Sequence, residues 1–323
     1  MKNKFLSEQY IINKYLKKLN FNKSESYNFS NDGAFFKIPK NNKLIVTNDT
    51  IIENVDFFKS DPPKSIANKI VTCNLSDISS MGAVPYAYTL SLCLPKKLTN
   101  EWLNLFTKSL FSFQKKFNFF LIGGDLSKSD KIIISSNFFG FVKEKKILTR
   151  SGAMTNDDIW VTGNLGESSI GLKIKKNKIK LLNNEKKFFI KKYLFPRHFS
   201  YGNKIANYAS SAIDISDGFY GDLSKLILES NKGASIESKN LPFSLKTKKL
   251  IKNKKINVNY LLSAGDDYEL IFTSNPKHSL KIKRIFKNIN VKISKVGRII
   301  EKKGVYIDNN KVNFINKSFD HFS

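Results

Sequence analysis

At 323 residues the chain is long for one hydrophobic core and points to about two domains. With 41% hydrophobic and 13% aromatic residues it reads as globular, and no run of 18 apolar residues offers a membrane-spanning helix. The formal charge of +28 admits a nucleic-acid partner through counterion release, but the excess is overwhelmingly lysine spread over the whole length, without an RNP, zinc-finger or helix-turn-helix signature.

Lysine patches such as 173–180 and 246–255 therefore read as solvated surface, and neither nucleic acid nor membrane is expected as a partner. The N-terminal MKNKFLSEQYIINKYLKKL is amphipathic and lacks a signal-type apolar core, so the expected location is cytoplasmic. Cys73 and Cys93 sit in separate apolar segments without a second pair, which suits reduced, buried thiols.

In chain order, Ser7 offers an N-cap to a helix over 6–19, with Ile11, Ile12, Tyr15, Leu16 and Leu19 at helical spacing. IVTND (45–49) reads as a strand, and IIENVDFF either extends it or turns. After Pro62 and Pro63 a helix over 64–81 is apolar nearly all round and should be buried, closed by Gly82 with Pro85 just beyond. YTLSLCL (88–94) alternates as a strand. Thr99 caps a helix over 99–117 whose stripe is Phe106, Leu110, Phe113 and Phe117, and FFLIGG and KIIISSNFFGFV are further strands. A loop-like stretch (148–158) follows. Beyond it come a strand at DIWVTG, helices over most of 166–194, a strand at AIDIS feeding a helix near 218–230, and strands at YELIFT and VKISKVGRII. Two α/β domains meeting near residue 150, 1–148 and 149–323, are the economical reading.

Acids adjoin small residues or glycines at several expected element ends: Asp32 in SNDGA, Asp49 in TND, Asp77 in NLSD, Asp125 in GGD, Asp214 and Asp217 in DISDG, and Asp266 and Asp267 in AGDDYE. Singly, each can be turn or cap chemistry. Asp77 fits that reading least, because with Asn74 it draws a polar line along a helix that should be buried. If several of these acids converge, cations must neutralise them, since two carboxylates about 4 Å apart repel by roughly 4 kcal/mol at an effective dielectric of ~20. Three histidines and no cysteine pair supply zinc poorly, whereas oxygen ligands suit magnesium, which commonly joins carboxylates to substrate phosphates. Phosphoryl transfer is the chemistry this indicates. There is no GxxxxGK[ST], kinase-type GxGxxG with HRD, GxSxG or HExxH. GNLGESSIGL (163–172) opens a helix whose amides either meet an anion or form an ordinary helix start. Arg150 could fork onto a phosphate or simply be solvated.

The ordered segments SNDGA, TNDTIIENVDFF, ANKIVTCNLSDISSMGAVP, LIGGD, LTRSGAMTNDDIWVTGNLGESSIGL, FPRH, AIDISDGFYGDL, LSAGDDYEL, VGRI and FDHF cover nearly the whole chain. Together they resemble the thiamine-monophosphate kinase family, within the superfamily that includes aminoimidazole ribonucleotide synthetase. The resemblance implies an α/β, two-domain, PurM-like kinase fold whose N-terminal mixed sheet closes a β-barrel across a homodimer, with a C-terminal α/β domain. It implies ATP-dependent phosphorylation of thiamine phosphate to thiamine diphosphate by direct in-line transfer with several magnesium ions, and potassium as a candidate monovalent ion. Carried over position by position, magnesium would be held by Asp32, Thr47, Asp49, Asp77, Asp125, Asp214 and Asp217, with Asp77, Asp125 and Asp217 most critical and no covalent nucleophile. ATP would meet Gly124, Asp125, Arg150 and Ser216.

Departures from the family pattern touch one outer metal contact, at Asn31, and otherwise fall mainly on the acceptor side. Asn31 stands where relatives carry an aspartate, Asn54 where they carry glycine, Asp56 for histidine, Asp266 for glutamate, and Phe319 for the terminal aromatic. Asp56, Asp266 and Phe319 are the implied acceptor positions. Either thiamine phosphate binds with adjusted contacts or the acceptor is another, as in the purine-synthesis relatives. A basic nucleic-acid-binding protein is the alternative from a different class.

Overall fold

The computed structural model describes residues 7–197 and 201–312. These divide into two compact units: one runs to Ile78 and resumes over Ala83–Glu144, and the other takes Ser79–Gly82 and the residues from Lys145 onward.

In the first unit, the Ser7 side chain accepts from the Tyr10 amide and starts α1 (Glu8–Ile11). The expected single helix is present but changes pitch twice, widening to π-type turns over Ile12–Leu16 and tightening to 3₁₀ over Lys17–Asn20. Ile11, Tyr15, Leu16 and Leu19 are buried as the spacing predicts, while Ile12 is only partly so. Then follow β1 (Asn42–Ile52), α2 (Pro63–Ser80), β2 (Val84–Leu94), α3 (Asn100–Phe117), β3 (Phe120–Lys128) and β4 (Ile133–Lys143). Helix α2 is buried almost all round, as its composition requires. Helix α3 starts on Thr99, whose hydroxyl accepts from the Trp102 amide at 3.1 Å. Its buried line runs through Leu103, Phe106 and Leu110 to Gln114, not through Phe113 and Phe117. The Gln114 amide donates to the Leu19 carbonyl at 2.6 Å, so a hydrogen bond rather than a ring closes this face. Phe106 is wholly buried and stacked on Trp102 at 5.0 Å, a core residue as its place in the stripe predicts.

The four strands form a mixed sheet in the order β1-β4-β2-β3. β4 is antiparallel to both neighbours, and β2 runs parallel to β3 through the α3 crossover. β4 alternates cleanly: Ile134, Ser136, Phe138, Gly140 and Val142 are buried, whereas Ile133, Ser135, Asn137, Phe139 and Phe141 are half-exposed. One face of this sheet is therefore packed and the other open. The expectation that β3 stops at its glycines is corrected, because the strand continues through Gly123, Gly124 and Asp125 to Lys128. Pairing with β2 supplies the backbone partners those glycines needed, across a bulge at Tyr88 and Thr89.

The second unit contains β5 (Asp158–Thr162), α4 (Glu167–Lys175), α5 (Asn183–Leu194), α6 (Gly202–Ile205), β6 (Ala209–Asp214), α7 (Phe219–Glu229) and β7 (Gly233–Ile236). After them come α8 (Leu245–Lys252), α9 (Val258–Ser263), β8 (Leu270–Ser274), α10 (Ser279–Asn288), β9 (Ile293–Ile300), β10 (Gly304–Ile307) and β11 (Asn310–Val312). The sheet order is β11-β10-β7-β9-β5-β8-β6. Ile159, Val161, Ile213 and Ile271 face one core with Phe219 and Leu223, while Trp160, Ala212 and Phe272 face another with Phe286. Helices thus cover both faces, and DIWVT reads as an unbroken buried run for that reason. The mixed α/β class and the mixed N-terminal sheet agree with the sequence reading. No described helix is long and apolar enough to cross a membrane.

Candidate active site

The first unit holds a cavity of about 390 Å³ between the SNDGA segment and strands β2 and β3. Asp32 and Asp125 both line it, beside Gly123 and Gly124. Asp125 is exposed within β3, and its Oδ2 accepts from the Ser127 hydroxyl at 2.8 Å. The two glycines are not equivalent. A Cβ on Gly124 would stand 2.0 Å from the Leu90 carbonyl oxygen, whereas one on Gly123 would meet nothing within 4 Å. Close approach is therefore demanded at Gly124 by the neighbouring strand.

Thr47 and Asp49 pair with Phe138 and Ser136, so they face the packed side of the sheet. There the Thr47 hydroxyl donates to Asn74 Oδ1 at 3.0 Å, and the Asn74 amide donates to the Ile70 carbonyl. Asp77 lies one turn further along α2, half-buried. Asp49 Oδ2 is buried with no hydrogen-bond partner. Burial first, and the nearby Asp56 second, push its carboxyl up to about 6. The sheet does not bring Asp49 and Asp125 together. β1 and β3 are opposite edges, three strand spacings or about 14 Å apart, and Asp125, paired with Ser91, points to the open face.

Asp56 serves a turn. Its Oδ2 accepts from the Ile52 amide at 2.8 Å, and its carbonyl accepts from the Lys69 ammonium at 2.7 Å. Asn54 takes a positive φ of 67° in the same turn, a conformation asparagine tolerates, so it can replace glycine there. Asp56→Ala is expected to cost about 1 kcal/mol through the unpaired Ile52 amide, read as a lower thermal melting temperature. An unchanged melting temperature would return the carboxylate to solvent.

In the second unit, Asp214 is buried at the end of β6, and Ser216 and Asp217 form the turn into α7. Gly218 turns the chain at φ 109°, where an added Cβ would stand 2.7 Å from the Ser263 backbone. The organiser of this turn is Asp222. It is 1% exposed, and its Oδ2 accepts from the amides of both Ser216 and Asp217 at 3.0 Å. Lys225 then joins Asp217 Oδ2 at 2.5 Å to Asp222 Oδ1 at 2.8 Å. A carboxylate one turn after a Ser-Asp-Gly start was the available signal. Asp266, at φ 68°, donates its amide to the Ser216 carbonyl and accepts from the Tyr268 hydroxyl at 2.8 Å. Arg150 is exposed and its carbonyl accepts from the Ser230 hydroxyl. Phe319 lies outside the described residues.

The start of α4 resolves the alternatives for GNLGES. Asp267 Oδ2 accepts from the Gly166 amide at 2.7 Å, and the Ser168 backbone bonds the same carboxylate, so a protein acid occupies the helix start. Burial, then Glu269 and Glu167, hold the Asp267 carboxyl well above its usual range despite these bonds. Glu269 beside it is pushed up to about 7, chiefly by burial, and accepts from the Thr162 hydroxyl at 2.5 Å. Glu167 pairs with Lys192 at 2.5 Å. Sequence reasoning missed Glu269 and Glu167 as members of this group, since nothing local brings 167 to 269.

Within either unit, no three described His, Cys, Asp or Glu side chains form a ready cage for a metal ion. The donor set still suits magnesium, which is commonly held by one or two carboxylates together with substrate phosphates and waters. Asp49, with a buried oxygen that no protein donor meets and Asp56 nearby, is a position where a cation would offset unbalanced negative charge.

The family described as AIR synthase related protein, N-terminal domain, matches residues 30–142. Over 321 residues the chain is 38% identical to the thiamine-monophosphate kinase of Buchnera aphidicola subsp. Schizaphis graminum (strain Sg), covering 97% of this chain and 98% of the relative. The thiamine-monophosphate kinase from Stenotrophomonas maltophilia K279a matches in structure with a TM-score of 0.80 at 28% identity, covering 88% of this chain and 90% of the other. AaThiL complexed with AMPPCP and TMP matches with a TM-score of 0.79 at 29% identity, covering 88% and 89%.

Proposed function

This chain belongs to the thiamine-monophosphate kinase family, and on that premise we propose that it transfers the γ-phosphoryl group of ATP to thiamine phosphate, giving thiamine diphosphate. The observation that carries the reading is Asp49, a buried carboxylate oxygen without a donor beside a second acid. Such a group awaits a cation, and a cation on a phosphotransferase implies anionic substrates.

Asp32 and Asp125 from the cavity, Thr47, Asp49 and Asp77 from the β1–α2 side, and Asp214 and Asp217 from the second unit would hold magnesium. When bound, it would offset the repulsion between the two phosphates and the charge that develops on transfer. The residues themselves position the reactants. Gly124 and Asp125 present strand backbone and a carboxylate to the nucleotide, Ser216 does so from a turn fixed by Asp222, and exposed Arg150 can fork onto phosphate oxygens. The acceptor's terminal oxygen attacks the γ-phosphorus in line, without a protein nucleophile. Asp266 and Phe319 remain the acceptor-side residues, and Asp56 acts there through its turn.

We assign the dimer contact and most of the metal and nucleotide positions to an N-terminal domain ending near residue 148, with Arg150, Asp214, Ser216 and Asp217 supplied by the C-terminal domain. Homodimerisation is supported by the open sheet face, where half-exposed Phe36, Tyr86, Phe139 and Phe141 cluster with ring centroids as close as 4.7 Å. It is also supported by the edge-to-edge separation of Asp49 from Asp125, which a second copy could bridge. The test is ADP release from Mg-ATP with thiamine phosphate, with a purine-synthesis precursor, and with no acceptor. Release only with thiamine phosphate is the expected result. Release only with the purine precursor, or no acceptor-dependent release at all, overturns the assignment.

A further inference from the structure

The acidic turn at the start of α7 carries a cation of its own. Lys225 holds Asp217 Oδ2 at 2.5 Å and Asp222 Oδ1 at 2.8 Å, so one of the two carboxylate oxygens that Asp217 could offer a metal ion is already engaged by an ammonium group. The partners differ in how freely they can leave. Asp222 is 1% exposed on its side chain and tied by two backbone amides, whereas the Lys225 side chain is 37% exposed on a flexible four-carbon stem. Asp217, at 35%, lies between them.

We propose that Lys225 is a resident counter-cation of this turn: it keeps Asp217 and Asp222 aligned in the metal-free protein, yields Asp217 to a divalent ion, and so sets how much magnesium the protein requires. Asp222 stays in place throughout, because losing it would leave the amides of Ser216 and Asp217 without an acceptor. The sign of the effect follows from charge. An ammonium beside Asp217 both occupies its oxygen and repels an incoming cation, so removing it favours the ion.

The inference rests on the magnesium-dependent reading above only in naming the ion, and binding tests it apart from turnover. Thermal melting of the full chain is followed as magnesium chloride is raised at fixed, saturating non-hydrolysable ATP analogue, for wild type, Lys225→Met, Lys225→Gln and Lys225→Arg. The two neutral variants are expected to reach half-saturation at about fivefold lower magnesium, the scale of a partly exposed ion pair, while Lys225→Arg stays near wild type. Two neutral side chains of different polarity guard against a folding defect peculiar to one. An unchanged magnesium requirement in a folded neutral variant overturns the proposal. A higher requirement overturns it too, by showing that the ammonium serves the nucleotide phosphates instead. Wild-type protein without thiamine-phosphate turnover would defeat the functional reading while leaving this comparison intact.

Discussion

Asp49→Asn is expected to reduce magnesium-supported turnover by about a hundredfold or more and at the same time to raise the melting temperature of the metal-free protein. Both follow from one oxygen. Asp49 Oδ2 is buried without a donor, and burial with the charge of Asp56 lifts the carboxyl from 3.8 to about 6. A carboxyl whose folded value is raised destabilises the native state only where the unfolded chain would be ionised. The penalty is absent below the unfolded value, grows between about 4 and 6, and is constant above that. Asparagine removes the charge, so a gain of about 1 kcal/mol should appear across that window and persist at neutral pH, discounted for the part of the side chain that reaches solvent. Because a proton and a cation compete for the same oxygen, wild-type magnesium demand should rise steeply below pH 6. Parallel melting and turnover series from pH 4 to 8 check both arms. Wild-type turnover in the variant, or a lower melting temperature, would contradict the assignment.

The second large effect belongs to Asp267. Truncation to alanine is expected to cost about 3 kcal/mol, because it strands the Gly166 and Ser168 backbone bonds in a buried setting and opens a void. Asp267→Asn should cost about 1 kcal/mol or less, since its amide oxygen can still accept and it resembles the protonated acid that burial favours. The sign is again that of a raised carboxyl: the wild type loses stability as pH climbs past the usual value of 3.8, and the Asn variant should lose less. Urea unfolding of the three proteins at pH 5 and 8 would measure the contrast. Equal losses in Ala and Asn would refute the capping role.

Much of this architecture could be read from local pattern. The cap at Thr99, the buried helix α2, the alternation of β4 and the strand at β5 each follow from spacing within a few residues, which is why those elements were legible. The places where the reading failed depend on partners distant in sequence. β3 continues past Gly124 because β2 lies alongside it, the start of α4 is satisfied by an acid 101 residues away, and Gln114 ends its helix stripe by reaching Leu19. The acidic motifs were visible, but their distribution over opposite edges of a sheet was not, since strand order is a property of topology and not of spacing. Asp56 shows the same limit in small: a departure at an implied acceptor position became intelligible once its carboxylate was seen holding the Ile52 amide.

Strand β5 has both faces covered and a neighbour on either side, β9 and β8. Its amides can exchange with solvent only when most of the second unit opens, so it belongs to the slowest-exchanging cooperative block. The segment carrying Arg150 enters this strand and the segment leading to Glu167 leaves it. A phosphate held by the Arg150 segment would therefore be linked to the global opening equilibrium of the unit, and its binding energy would register as protection of the whole sheet rather than as the quieting of a loop.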